Sequence, residues 1–192
     1  MIKLQKILQE LSKTGVMTGS QEKIFNTGLR KIHTSQADMY RDQITKKTPH
    51  SEINYGGCGI FAKLLYYNMK KYLNITPEIV CFDWPGTELP KGGINKYKSL
   101  VEFNNAGYTC IHITLKINDY YIDSSGVHKL EWYNKVYGYG QGFDIHEGMT
   151  IQTLTKWVSN STSWNSTFNR YTAGDINKDM IKVVKEVAKL EP

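Results

Sequence analysis

The chain has no run of about 18 apolar residues, so no segment is expected to cross a membrane as a helix. It has three cysteines, Cys58, Cys81 and Cys110, none in a CxxC pair, which argues against a disulfide scaffold and a CxxC zinc site. Internal repeats and low-complexity tracts are missing too. Phenylalanine is scarce beside tyrosine, 6 against 13, so much of the apolar interior carries a hydroxyl that needs a partner when buried. What is present is ordinary globular composition: 192 residues, 40% hydrophobic and 22% charged, enough for one domain with a core.

The net charge is +6, a modest basic excess. It is concentrated in residues 1–50, where Lys3, Lys6, Lys13, Lys23, Arg30, Lys31, Arg41, Lys46 and Lys47 face only Glu10, Glu22, Asp38 and Asp42. No arginine cluster or nucleic-acid motif accompanies these bases, so nucleic acid is not an expected partner, and a solvated helix surface is the simpler reading. The remaining binding role for these helices is docking an acidic partner. The N-terminal stretch MIKLQKILQELSK mixes apolar and basic residues as an amphipathic helix does, without the apolar run of a signal peptide, so a cytoplasmic location is expected. Residues 1–50 therefore read as a basic helical segment packed on a domain formed by 51–192, with helices over 2–13 and from Ser20 to Ile32.

From Gly56 to Leu73 the helical spacing of Cys58, Phe61, Ala62, Leu65, Met69 and Tyr72 predicts a helix whose apolar stripe begins at the cysteine, with Lys63, Tyr67, Lys70 and Asn74 opposite. Residues 77–84 read as a strand, with Cys81 in the core, and a Gly-, Pro- and Lys-rich loop follows to about residue 100. Residues 108–117 alternate strictly, Ile111, Ile113, Leu115 and Ile117 against Cys110, His112, Thr114 and Lys116, which predicts a half-buried strand. Asn118-Asp119 turns it into a second strand, 120–123, ended by Ser124-Ser125-Gly126. The glycines of 137–148 predict a mobile loop, a candidate lid, and helices are expected near 150–160 and 175–190. The fold class is α+β: a helix packed on an antiparallel sheet, flanked by N- and C-terminal helices.

Cys58 sits where a helix begins, and unpaired backbone N–H groups and the helix dipole at that place favour a thiolate. Gly56 and Gly57 let the chain turn there, and Gly59 leaves room for a carbonyl to approach backbone amides that can act as half an oxyanion hole. A two-residue turn at 118–119 pairs Ile117 with Tyr120 and sets Thr114 opposite Asp123, which makes His112 the diagonal neighbour of Asp123 on one sheet face. A carboxylate beside an imidazole fixes its tautomer and stabilises its charged form. The plainer readings are a buried helix-face thiol and a structural His–Asp pair. Cys110 reads as packing, with a role as cleft wall or resolving thiol as the alternative; His128 reads as a turn histidine, with a place lining the site as the alternative. Asp144, His146 and Glu147 lack the second ligand pair a metal site needs. Trp84, Trp132, Trp157 and Trp164 read as core or cleft walls.

The order Tyr55-Gly-Gly-Cys58-Gly, Ile111-His112-Ile113 and Tyr121-Ile122-Asp123 resembles the papain-like Cys-His-Asp superfamily, especially its transglutaminase-like and arylamine N-acetyltransferase-like branches, over about residues 54–126. The resemblance implies a papain-like core, Cys58 as nucleophile, His112 as general base and acid, Asp123 as orienting residue, and a thioester acyl-enzyme. The oxyanion glutamine usual in the papain branch is missing upstream of Cys58; Asn54 or Tyr55 stands in that neighbourhood, and Gln141 is a candidate from the glycine-rich loop. There is no motif for a pantetheine or nucleotide site, so no cofactor is expected, and the implied activity is that of a cysteine peptidase, amidase or acyltransferase on a protein, peptide or small amide. The alternative is a noncatalytic binding or assembly protein on the same fold, such as a viral or phage structural or accessory protein, which the Lys, Asn, Ile and Tyr bias of the sequence would allow.

Overall fold

The protein is described from a computed structural model at residues 20, 23, 27–29, 57–86, 88–89, 92–136, 142–160 and 173–189. Its centre is helix α1, Cys58–Asn68, continued by a wider π-type turn at Met69–Leu73. Ile60, Phe61, Ala62, Leu65, Tyr66, Met69 and Leu73 are all buried. A helix this apolar has to be covered on several sides, and α1 is: it packs on the sheet and on two later helices. Tyr67, Lys70, Lys71 and Asn74 form its exposed strip. Asn74, at φ 56, stops the helix in the left-handed conformation that asparagine tolerates.

Five strands follow: β1 Glu78–Asp83, β2 His112–Ile117, β3 Tyr120–Asp123, β4 Gly126–His128 and β5 Asp144–Met149. They form one sheet in the order β4-β3-β2-β1-β5, every neighbouring pair antiparallel. The β2–β3 hairpin has the register the turn predicts: Ile117 pairs with Tyr120, Lys116 with Tyr121 and Leu115 with Ile122. Asn118 takes φ 52, the positive value such a tight turn demands. Thr114 Oγ1 adds a bond to the Ile122 carbonyl at 2.9 Å.

Several expectations are corrected. The ladder of β2 begins at His112, not residue 108, because the Thr109 N–H goes to the Asp83 side chain, 3.0 Å away, and not to a strand carbonyl. The strand is not half-buried either: His112, Ile113, Thr114 and Leu115 are all enclosed. One face lies in the main core with α1, and the other under a smaller aromatic cluster of Val80, Phe82, Tyr121 and Tyr133. Residues 124–125 end β3 as expected, but Gly126 already opens a further strand, β4. The supposed loop over 137–148 contains β5, bonded to β1, so residues 144–148 are not a mobile lid; residues 137–141 lie outside the described part. A bulge between the Ile79 and Cys81 pairings is absorbed on β5, where Gly148 takes φ 75.

The region beyond Asp83 is also more ordered than a plain loop: a 3₁₀ turn at Ile94–Lys96 leads to α2, Leu100–Asn105. Ser99 caps α2, its Oγ accepting the Glu102 N–H at 3.1 Å, while Glu102 Oε2 accepts the Lys98 N–H at 2.6 Å. Helix α3, Leu130–Val136, covers the aromatic face through Trp132 and Tyr133. Helices α4, Ile151–Asn160, and α5, Ala173–Lys189, flank α1 close to where helical periodicity placed them. Asn68, buried in α1, donates to Asn177 Oδ1 of α5 at 2.8 Å. Trp157 is fully buried and Trp84 is 39% exposed; Trp164 lies outside the described residues. The N-terminal segment is described at few positions, among them the helical residues 27–29, and the helix expected over 2–13 lies outside them. Among the described residues no helix is long and apolar enough to cross a membrane.

Candidate active site

In an antiparallel sheet, the start of β2 and the ends of β1 and β3 share one edge. His112, Asp123 and Asp83 occupy those positions, and the N-terminus of α1, with Cys58, meets the sheet there. Cys58 is the first residue of α1, after Gly57 at φ −107. The first intrahelical bond runs from Phe61 N to Gly57 O at 3.0 Å, so the N–H groups of Cys58, Gly59 and Ile60 have no acceptor within the helix. Among the described residues no side chain caps this end and no acidic residue stands in the first turn, which leaves its partial positive charge for other partners.

His112 Nε2 lies 2.8 Å from Asp123 Oδ2, with both side chains 2% exposed. A carboxylate only accepts, so Nε2 carries the hydrogen and donates. The Cys58 thiol lies near enough to the ring to bear on its charge. Burial alone lowers the pKa of His112, but the hydrogen bonds to Asp123 and Cys58 and their charges outweigh it and push it from 6.5 up to about 10. Burial alone raises that of Asp123, but His112 and Ser125 hold it below its ordinary value. An imidazolium–carboxylate pair therefore persists through neutral pH.

The carboxylate is held from behind. Asp123 Oδ1 accepts the Ser125 N–H at 2.6 Å and the Ser125 hydroxyl, an Asx-type turn within the β3–β4 connection. His128, at the end of β4, donates from Nε2 to the Ser125 carbonyl at 3.3 Å and stacks on Trp132 with ring centroids 3.6 Å apart, so it supports this turn. Tyr133 and Phe82 lie against His112, centroids 6.0 and 6.1 Å away. Nothing local in the sequence marks Tyr133; the Asp-Ser-Ser triplet was the available signal for Ser125.

Cys110 precedes the β2 ladder and does not share the strand face of His112: it packs on the core cluster containing Cys58 and Cys81. A hydrogen bond with Cys81 and burial push its thiol well above the ordinary range. Cys81 is fully buried in β1, as expected for a core residue. All three cysteines are free. His146 does not join Asp144 and Glu147 in a cluster: its Nε2 meets Asp83 Oδ2 at 3.3 Å, a pairing across 63 residues, while Glu147 pairs with Lys116. Among the described residues no group of three or more His, Cys, Asp or Glu side chains is arranged to hold a metal ion. Asn54, Tyr55 and Gln141 lie outside the described residues.

No family model matches the chain, and neither the curated proteins nor the solved structures include a match to it.

Proposed function

We propose that the chain is a cysteine-dependent acyl-transfer enzyme, a peptidase, amidase or acyltransferase of papain-like type, with Cys58 as nucleophile, His112 as general base and acid, and Asp123 as the residue that orients the ring. The observation that carries this reading is a buried histidine held at 2.8 Å by a carboxylate, beside the thiol at a helix start. A structural His–Asp pair needs no thiol at a helix N-terminus, and a packed thiol needs no buried imidazolium.

The chemistry follows from the atoms. The thiolate is the nucleophilic form of cysteine. Sulfur attacks the substrate carbonyl, and the oxygen that gains charge is met by the N–H groups of Cys58 and Gly59 at the helix start. As the tetrahedral intermediate collapses, His112 gives its Nδ1 proton to the departing amine and leaves a thioester on Cys58. Water or a second amine then attacks the thioester; His112 takes its proton, and the acyl group leaves as an acid or a new amide. Asp123 keeps Nε2–H in place throughout, so the nitrogen that trades protons always faces sulfur. The substrate class is an amide of a protein, peptide or small molecule, and no step needs a cofactor.

The test is the pH dependence of alkylation by iodoacetamide, read per cysteine by mass spectrometry, in the wild type and in His112→Ala. Exposure alone ranks partly buried Cys110 ahead of buried Cys58. The proposal reverses that order: Cys58 labels first at about pH 6, where an ordinary thiol is below ~1% ionised, and loses that lead in His112→Ala. Labelling of Cys58 that is slow at this pH and unaffected by His112 would sink the proposal.

A further inference from the structure

A second buried His–Asp pair stands on the same sheet edge. Asp83, the last residue of β1, is fully buried, and each of its oxygens is used. Oδ1 accepts two backbone N–H groups, Trp84 at 2.7 Å and Thr109 at 3.0 Å. Oδ2 faces His146 Nε2 at 3.3 Å. His146 is itself fixed by β5, where it pairs with Cys81, and by an edge-on contact with Phe103.

Thr109 is three positions ahead of His112. Residues 109–111 lie before the β2 ladder, and their backbone is tied to β1 at two points: Thr109 N to Asp83 Oδ1, and Ile111 N to the Phe82 carbonyl at 2.9 Å. His112, the first ladder residue, pairs with Phe82. A strand end held this way frays when its last tether goes, and here the fraying residue is the one that must stay between Cys58 and Asp123. Contacts thus run from β5 through His146 and Asp83 to Thr109, and the chain carries the path on to His112.

We propose that Asp83 and His146 are positioning residues for the candidate site. Asp83 clamps the segment that delivers His112, and His146 fixes the orientation of the Asp83 carboxylate by donating to its second oxygen. The inference rests on the reading of Cys58 and His112 given above. Neither residue touches the reacting atoms, and neither was marked by the sequence as part of the site: Asp83 follows an apolar run, and His146 lies in a glycine-rich stretch that does not read as a strand.

The experiment is Cys58 alkylation across pH in the full chain, with thermal unfolding measured alongside. The variants are Asp83→Ala, Asp83→Asn, His146→Leu and His146→Gln, with Val80→Ala as a control that weakens the buried core of the same strand without touching the clamp. Displacing a reacting group by about 1 Å costs on the order of 100-fold, so Asp83→Ala is expected to slow Cys58 labelling at about pH 6 by between ~10- and 100-fold. Asp83→Asn, which keeps an oxygen acceptor, is expected to recover most of the rate. His146→Leu fills the same space without a donor and slows labelling several-fold, while His146→Gln, which has an N–H donor, restores it. Should Asp83→Ala fail to fold, the two His146 variants decide. Labelling profiles for Asp83→Ala or His146→Leu no more displaced than that of Val80→Ala would overturn the inference and leave a purely structural pair, while a wild-type Cys58 indifferent to His112 would remove the site reading and this inference with it.

Discussion

Replacing Asp123 with asparagine keeps the shape of the side chain and an oxygen for the Ser125 bonds, and removes the charge that His112 faces. The effect on stability depends on pH, with a sign fixed by the direction of the His112 shift. A histidine whose pKa rises on folding adds stability that is complete below its unfolded value and is lost as pH climbs through the folded one. For His112 that window runs from 6.5 to about 10. At about 1.4 kcal/mol per pH unit, the shift sets a ceiling on the order of 5 kcal/mol near pH 6, falling below about 1 kcal/mol near pH 10. Breaking one partner of a buried pair typically costs about 3 to 5 kcal/mol, in line with that ceiling. The depressed pKa of Asp123 reflects the same contact and is not added again. Urea unfolding followed by tryptophan fluorescence, wild type against Asp123→Asn at about pH 6, 8 and 10, is expected to show a difference that is largest at pH 6 and shrinks toward pH 10. A difference that stays constant across this range, or grows, would refute the buried imidazolium–carboxylate pair.

Other outcomes follow from single contacts. Because a hydrogen bond with Cys81 and burial hold the Cys110 thiol well above the ordinary range, Cys110 should alkylate slowly at pH 8, and faster in Cys81→Val; equal rates in the two proteins would count against the contact. Gly28→Ala places a Cβ 2.6 Å from Val183 Cγ2, so it should destabilise by about 1 to 3 kcal/mol, and Val183→Ala should relieve that cost in a double-mutant cycle. Lys116 and Glu147 form a partly exposed ion pair, so Glu147→Gln should cost less than about 1 kcal/mol and less still in high salt; a larger loss by urea unfolding would mean the pair is more than a surface contact.

What could be read from the sequence was local. The Asn118-Asp119 turn and the strict alternation before it fix a register with no reference to the rest of the chain, so the neighbourhood of His112 and Asp123 follows from parity. The start of α1 at Cys58 was legible for a similar reason, since glycines precede an apolar helical pattern. Helix α2 carried a signal of its own, the capping box from Ser99 to Glu102, inside a stretch whose glycines and prolines suggest only loop. Strand β5 was hidden because its ladder depends on a bulge at Gly148, and glycine content alone points the other way. The Asp83–His146 pair joins residues 63 apart through that strand, so no local pattern announces it. The exposure of β2 was misjudged because alternation marks two faces but not whether the second is covered, and here α3 supplies the cover.

The β2–β3 hairpin places a rule on descent. His112 and Asp123 are 11 positions apart, a diagonal pair across a two-residue turn. A lineage that lengthens the hairpin by one residue on each arm keeps both side chains on the same face, whereas a single insertion sends the aspartate to the other side unless a bulge absorbs it. Divergent kin of this chain should therefore show His-to-Asp intervals that differ by even numbers. That spacing, more than the identity of the intervening residues, is the mark by which to look for them.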